Sequence, residues 1–135
     1  MISLSITTAE RVVYESTHVS KLTLPTITGE ITILPKHVPL MTIVGTGEAI
    51  VTDNDGVTHL FVDGGLLQIG DNTVEILTNT AERAEDLDLA KIEEAKRRAE
   101  KLIQEKPVDV DLAQVEATLR KELTKQKILN GYRPT

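Results

Sequence analysis

Cysteine and tryptophan are absent from this chain of 135 residues, and its aromatic residues are Tyr14, Phe61 and Tyr132 alone. Without cysteine, disulfides and thiolate chemistry are excluded, and the sequence carries no sign of the redox compartment. Because aromatic residues make up 2% of the chain and hydrophobic residues 40%, the core must be built from valine, isoleucine and leucine. Valine and isoleucine favour strands where they are dense.

Long apolar runs and a strong positive charge are also missing. No segment approaches the roughly 18 apolar residues that cross a bilayer as a helix, so we expect no direct membrane insertion. The start, MISLSITTAE, lacks a basic region followed by an apolar block, so it does not predict a secretory signal. The net charge of -6 argues against binding nucleic acid by phosphate neutralisation. Basic residues nevertheless gather at the end, where residues 117–135 hold five against the single Glu122.

Residues 2–80 predict short strands joined by tight turns. Ile2, Leu4 and Ile6 alternate with polar residues, as in a half-buried strand. Asn54-Asp55-Gly56 indicates a hairpin, since these residues tolerate positive φ. Short strands with such regular turns predict an antiparallel sandwich or barrel. The predicted strands span residues 2–7, 11–14, 17–24, 29–34, 40–44, 49–52, 58–62, 66–69 and 74–78.

After Ala81 the composition changes to alanine, leucine and charged residues, and two helices are predicted. We expect Asp86 to cap the first helix and Pro107 to end its region. Either Asp109 or Asp111 is expected to cap the second helix, and Asn130-Gly131 to stop it. The predicted apolar stripes consist of Leu89, Ile92, Ala95, Ala99, Leu102 and Ile103 in the first helix, and Leu112, Val115, Leu119 and Leu123 in the second.

The short linker predicts that the two helices fold back as an antiparallel hairpin. Their apolar stripes are narrow, and a hairpin of this size has only a marginal core of its own. We therefore expect it to rest on the sheet domain, on a partner, or on each in turn.

The sequence offers no catalytic constellation. The histidines, His18, His37 and His59, lack metal-ligand spacing, and ordinary surface or strand positions explain them better than a metal site. Gly45-Thr46-Gly47 and Gly64-Gly65 are not followed by the Gly-Lys-Ser/Thr sequence that ends a phosphate-binding loop. No serine lies in a nucleophile elbow. We predict neither catalytic nor metal-binding residues, which argues against an enzyme acting alone.

Two basic segments each allow two interpretations. Lys96, Arg97, Arg98 and Lys101 alternate with glutamates, which favours a solvated helix face over a site for an anionic ligand or acidic partner. The segment from Arg120 onward has few compensating carboxylates, and a partner-binding basic helix competes there with a plain solvated face.

Several ordered motifs together resemble the epsilon subunit of rotary F-type ATP synthases. Residues 29–40, GEITILPKHVPL, look like the Gly-Glu…Leu-Pro-x-His-x-Pro-Leu stretch of that family. Residues 63–67, DGGLL, resemble its Gly-Gly turn, and residues 75–77 with 81–84 resemble its junction between sheet and helix. Leu87-Asp88 and residues 94–100, EAKRRAE, are similar to its first helix.

This resemblance implies an α+β protein with an antiparallel β-sandwich at residues 1–84 and a helical hairpin at residues 85–135. It further implies a non-catalytic rotor subunit of the central stalk that helps to couple proton translocation to ATP synthesis. The implied partners are the gamma subunit and the c-subunit ring, with transient contact to the catalytic beta and alpha subunits. The implied location is peripheral, on the cytoplasmic or equivalent face of an energy-coupling membrane.

The resemblance also implies roles for particular residues. The extended hairpin restrains ATP hydrolysis in that family, and a basic helix suits an acidic surface on a catalytic subunit. We predict that this inhibitory contact is made by Arg120, Lys121, Lys125 and Lys127. The family stretch that faces the stalk and ring corresponds to Leu34, Pro35, His37 and Pro39.

No cofactor is implied, and ATP remains a candidate regulatory ligand. Some members bind ATP on the folded hairpin through an Ile/Leu-Asp-x-x-Arg-Ala motif. Here Leu87 and Asp88 match, but Lys91 and Ile92 replace its arginine and alanine. Lysine lacks the planar fork of guanidinium, and isoleucine adds bulk. The candidate nucleotide-binding residues are Glu82, Asp88, Lys91 and Arg98, with side chains between Arg120 and Lys125 as further candidates.

A second function class remains open beside the rotor subunit. The same chain could be a stand-alone module that senses a nucleotide or another small ligand. An enzyme is a third class, for which no residues can be named.

Overall fold

A computed structural model describes residues 1–132 of the chain. Its strands are β1 Ile2–Thr7, β2 Val12–Thr26, β3 Gly29–Ile33, β4 Leu40–Ile43, β5 Thr46–Asp53, β6 Gly56–Asp63, β7 Leu66–Gly70, β8 Thr73–Leu77 and β9 Thr80–Arg83. A 3-10 turn, Ala84–Asp86, leads into the helices α1 Leu89–Glu105 and α2 Leu112–Tyr132. The predicted β-sandwich followed by a helical hairpin is confirmed. No helix within residues 1–132 is both long and apolar enough to cross a bilayer.

One long strand, β2, connects the two layers of the sandwich. Its first half pairs with β1, and its second half pairs with β3 and β5. The strand order is β4-β7-β8-β1-β2-β5-β6-β9, with β3 also on β2, and β1 pairs in parallel with β8. The prediction of two strands at 11–14 and 17–24 was wrong, because β2 continues through register shifts that bend a strand without ending it.

The sandwich core consists of aliphatic side chains at alternating positions, as the period of a strand requires. Ile2, Leu4 and Ile6 of β1 are each 2% exposed or less. Tyr14 joins this core, and its hydroxyl donates a hydrogen bond to Asp53. Phe61 belongs instead to a separate apolar cluster on the side of β6 that faces the helices.

The helix ends differ from the predicted ends at two points. Asp86 does not cap α1, because it lies in the 3-10 turn and Leu87 after it is extended. Asp88 is the cap, and its Oδ1 accepts hydrogen bonds from the backbone N–H groups of Ala90 and Lys91 at 2.9 and 3.4 Å. The expected stop at Asn130-Gly131 was also wrong, because α2 continues through both residues to Tyr132.

The region between the helices follows the sequence prediction. Lys106 adopts the left-handed conformation at the end of α1, directly before Pro107. Of the two predicted caps for α2, Asp111 makes the contact, accepting from the backbone N–H groups of Ala113 and Gln114 at 3.0 and 3.4 Å.

The helices α1 and α2 lie antiparallel, and polar side chains connect them. Gln126 Nε2 of α2 donates to Glu93 Oε1 at 2.8 Å, and Lys96 Nζ donates to Gln126 Oε1 at 2.8 Å. These contacts join the start of α1 to the end of α2.

Gly65 occupies a position that only glycine fits. Its φ is +112°, and a Cβ there would lie 2.0 Å from the carbonyl oxygen of Leu77. We expect Gly65→Ala to lower the free energy of unfolding by about 3 kcal/mol, through backbone strain and this clash. Gly70→Ala is the control, because its Cβ would meet nothing within 4 Å, and it should change stability by less than about 0.5 kcal/mol. Urea unfolding measures the free energy of unfolding of both variants. If Gly65→Ala were as stable as Gly70→Ala, the steric explanation would be wrong.

Candidate functional site

The second helix docks on the sandwich through a small apolar cluster centred on Phe61. We call this set the docking cluster; it contains Phe61, Ala84, Leu87, Ile92, Ile128 and Leu129. Each member is 8% exposed or less, although the cluster is separate from the sandwich core. Residues of β6, of the turn after β9 and of both helices therefore meet at one place.

A charged contact lies beside the docking cluster. Lys121 Nζ donates to Asp63 Oδ2 at 2.9 Å, and Thr46 Oγ1 donates to Asp63 Oδ1 at 2.7 Å. Burial acts to raise the pKa of Asp63, but the hydrogen bonds from Lys121 and Thr46 outweigh it and hold that pKa below its ordinary value. The carboxylate is therefore charged at neutral pH, and its contribution to docking is lost only as the pH falls through the acid range.

Lys125 is the most enclosed of the four predicted basic residues. Its side chain is 17% exposed, and its Nζ lies 5.1 Å from the ring centroid of Phe61. The same nitrogen lies 3.4 Å from Glu122 Oε1 and 3.8 Å from Glu82 Oε1. A cation over an aromatic face and between two carboxylates is attracted from three sides.

The other two predicted basic residues, Arg120 and Lys127, are exposed. Neither makes an ion pair within residues 1–132, although Lys127 lines a cavity with Glu30 and Glu48 of the sandwich. The structure thus divides the predicted inhibitory set into two engaged and two exposed cations.

The four candidate nucleotide-binding residues converge on one cavity of about 310 Å³. Glu82, Asp88, Lys91 and Arg98 all line it, together with Lys125. Its volume is at the lower end of the range for small-molecule sites. The lining contains the carboxylates of Glu82, Asp86, Asp88 and Glu122 and the cations of Lys91, Arg98 and Lys125.

Ile92 lies in the wall of this cavity. It is 3% exposed and belongs to the docking cluster, so its bulk fills the junction between hairpin and sandwich. An alanine at this position would leave part of that space open.

The family stretch after β3 forms an exposed loop. Leu34 is 54% exposed and Val38 70%, and Pro35 and Pro39 are also exposed. His37 is half-buried, and its ring Nδ1 is hydrogen-bonded to the carbonyl oxygen of Val38 at 2.7 Å.

An apolar row lies on the outer face of β4, β7 and β8. Ile43, Leu66 and Leu77 are cross-strand neighbours and are 50%, 41% and 61% exposed. Met41 on β4, 61% exposed, is on the same face. An exposed apolar row of this kind is a candidate surface for contact with a partner.

Two family models cover this chain. The β-sandwich domain of the ATP synthase delta/epsilon chain matches residues 1–84, and the long α-helix domain of the ATP synthase delta/epsilon chain matches residues 85–128. The chain belongs to the ATP synthase delta/epsilon chain family. The resemblance stated from the motifs is thereby confirmed.

Relatives in the delta/epsilon family span nearly the whole chain. The ATP synthase epsilon chain of Chloroflexus aggregans is 40% identical over 127 residues, covering 94% of this chain and 91% of that relative. The ATP synthase epsilon chain of Dehalococcoides mccartyi (strain BAV1) is 41% identical over 133 residues, covering 98% and 94%. Because these relatives are named as a chain of ATP synthase, the expectation of a subunit rather than an enzyme acting alone is confirmed.

Solved structures share the delta/epsilon fold at lower identity. A chain in the Euglena gracilis mitochondrial ATP synthase, solved as OSCP/F1/c-ring in rotational state 1, matches with a TM-score of 0.81 at 24% identity. The match covers 95% of this chain and 81% of that one. A chain in the central stalk/c-ring structure of the Tetrahymena thermophila mitochondrial ATP synthase matches with a TM-score of 0.59 at 16% identity, covering 95% and 96%. At these identities the likeness concerns the fold.

Sequence reasoning missed the residues that receive α2. Phe61 and Asp63 are predicted only as parts of a strand and a turn, and Ile128 and Leu129 lie outside the predicted apolar stripe of the second helix. The stripe named Leu123 instead, which is 46% exposed. The one available signal was Phe61 itself, the single phenylalanine in a chain short of aromatic residues.

We expect Ile128→Ala to loosen the hairpin while the sandwich stays folded. Removing a buried isoleucine should weaken docking by about 2 to 4 kcal/mol, and the sandwich has its own core. Hydrogen exchange should therefore accelerate in α2 and remain slow in β1 and β2.

Leu123→Ala on the same helix is the matched control and should change neither region. If Ile128→Ala accelerated exchange in the sandwich and in α2 equally, docking would not be separable from folding and this description would be wrong.

Proposed function

We propose that this chain is a non-catalytic rotor subunit of the central stalk of an F-type ATP synthase. In this role its sandwich joins the stalk and its hairpin restrains ATP hydrolysis. Family membership supports the first part. The observation that carries the second is the docking of a basic helix through few contacts, which allows it to leave the sandwich for another surface.

The sandwich has two exposed surfaces for stable partners. The apolar row of Ile43, Leu66 and Leu77 suits the gamma subunit, because association would remove it from water. We assign the exposed loop from Leu34 to Pro39, with Leu34 and Val38 at its surface, to contact with the c-subunit ring. These contacts would hold the chain at the cytoplasmic or equivalent face of an energy-coupling membrane, as a peripheral subunit. In this position it helps to couple proton translocation to ATP synthesis.

The hairpin is the regulatory part. When α2 leaves the sandwich, Lys121 and Lys125 become available beside the already exposed Arg120 and Lys127, and all four can contact an acidic surface on a catalytic beta or alpha subunit. Cations at such a surface would hold the rotor against the hydrolysis direction. If α2 binds the sandwich and the catalytic subunits with similar free energies, a small change in either free energy shifts the populations of the two states.

We expect the assembled complex to hydrolyse ATP faster when residues 86–135 are removed from this chain. Replacing Arg120, Lys121, Lys125 and Lys127 together by alanine should produce a rise in the same direction. Replacing four exposed cations outside α2 by alanine, namely Arg11, Lys21, Arg97 and Lys101, is the control for the same change in net charge. Unchanged hydrolysis in both variants would refute the restraint, and failure to co-purify with other ATP synthase subunits would favour the stand-alone sensing module.

A second role, binding of ATP as a regulatory ligand, is supported by the cavity that Glu82, Asp88, Lys91 and Arg98 line together. Lys91, Arg98 and Lys125 would neutralise phosphate oxygens, and bound ATP would join α1, α2 and β9. The carboxylates in the same lining oppose a polyanion, so we expect affinity in the millimolar range at best.

Calorimetric titration of the whole chain with ATP tests this role. Arg98→Ala should abolish the heat of binding, because it removes a cavity cation. Arg97→Ala is the matched control, an exposed arginine on the same helix that does not line the cavity. No heat from the unaltered chain at about 10 mM ATP, well above a millimolar dissociation constant, would exclude the site.

A further inference from the structure

Two of the four basic residues proposed to restrain hydrolysis, Lys121 and Lys125, contact the sandwich in the docked structure. Lys121 is engaged with Asp63, and Lys125 with Phe61 and Glu82. A cation held in this way cannot at the same time pair with a partner. The sandwich therefore competes with any acidic partner surface for the same two side chains.

Asp63 is built to hold its cation. It ends β6, where its backbone pairs with Thr46 on one side and Thr80 on the other. Its side chain is 13% exposed, and the hydrogen bond from Thr46 turns one oxygen away and leaves the other for Lys121. Charge-assisted hydrogen bonds of this kind are stronger than neutral ones.

We propose that Asp63, by pairing with Lys121, sets the fraction of chains whose hairpin is free to restrain hydrolysis. We call this ion pair the latch. While Asp63 holds Lys121, the hairpin is docked and Lys121 and Lys125 are masked. When it releases Lys121, both cations become available to an acidic partner surface. This proposal rests on the restraint proposed above, and it predicts that loss of the negative charge of Asp63 strengthens inhibition.

The direction of that effect separates the latch from a simple loss of contact. Asp63→Asn keeps an acceptor for Thr46 but removes the charge, so it should weaken the docking of α2 and lower hydrolysis by the assembled complex. Lys121→Ala also weakens the docking of α2, but it removes an inhibitory cation and should not lower hydrolysis. Asp55→Asn in the turn before β6 is the charge-matched control, since Asp55 is exposed and has no ion pair within the described part of the chain.

Hydrogen exchange of the isolated full chain measures docking independently of hydrolysis. Lys121 is 43% exposed, so the pair is partly screened, and we expect Asp63→Asn to accelerate exchange in α2 about fivefold. The acceleration should vanish when Lys121→Ala is already present. Raising salt from about 50 to about 500 mM should loosen α2 in the unaltered chain more than in the variant.

The outcomes separate the latch from the proposed restraint. Faster exchange in α2 together with slower hydrolysis supports the latch. Unchanged exchange in Asp63→Asn, or equal acceleration in Asp55→Asn, overturns it. Faster exchange with unchanged hydrolysis leaves the latch as a docking contact and overturns the proposed restraint instead.

Discussion

The hairpin cannot bury enough apolar surface by itself, and its docking on the sandwich follows from this constraint. Its two helices share narrow stripes, and within residues 1–132 its most buried side chains are Ile92, Ala99, Ile128 and Leu129. Three of these four lie in the docking cluster around Phe61. The hairpin is therefore stable only against another surface, and in this structure that surface is the sandwich.

The two halves of the chain consequently have different kinds of stability. The sandwich encloses a continuous aliphatic core, and β2 connects its layers by pairing with strands of both. The hairpin adds a small cluster and ion pairs that water partly screens. A rigid anchor with a weakly held arm is the physical basis of the proposed division between stalk attachment and regulation.

Local patterns predicted what depends on neighbouring residues, which includes most of the short strands, the apolar stripe of α1 and a cap for α2 at Asp109 or Asp111. Errors arose where a local signal had an alternative, as at Asp86 beside Asp88 or at Asn130-Gly131, which α2 continues through. The contact between Asp63 and Lys121 joins residues far apart in sequence, so no periodicity could reveal it. The four cavity residues were found through family resemblance, and the structure brings them together.

The most direct test of the account is the distance between the sandwich and α2 in the working complex. The chain has no cysteine, so spin labels can be placed at the exposed Asn54 and Glu116 through Asn54→Cys and Glu116→Cys. Pulsed electron resonance should show one docked distance in the isolated chain. In the assembled complex it should show a second distance, whose share rises as hydrolysis becomes more restrained. A single docked distance in a complex whose hydrolysis the hairpin still restrains would contradict the account.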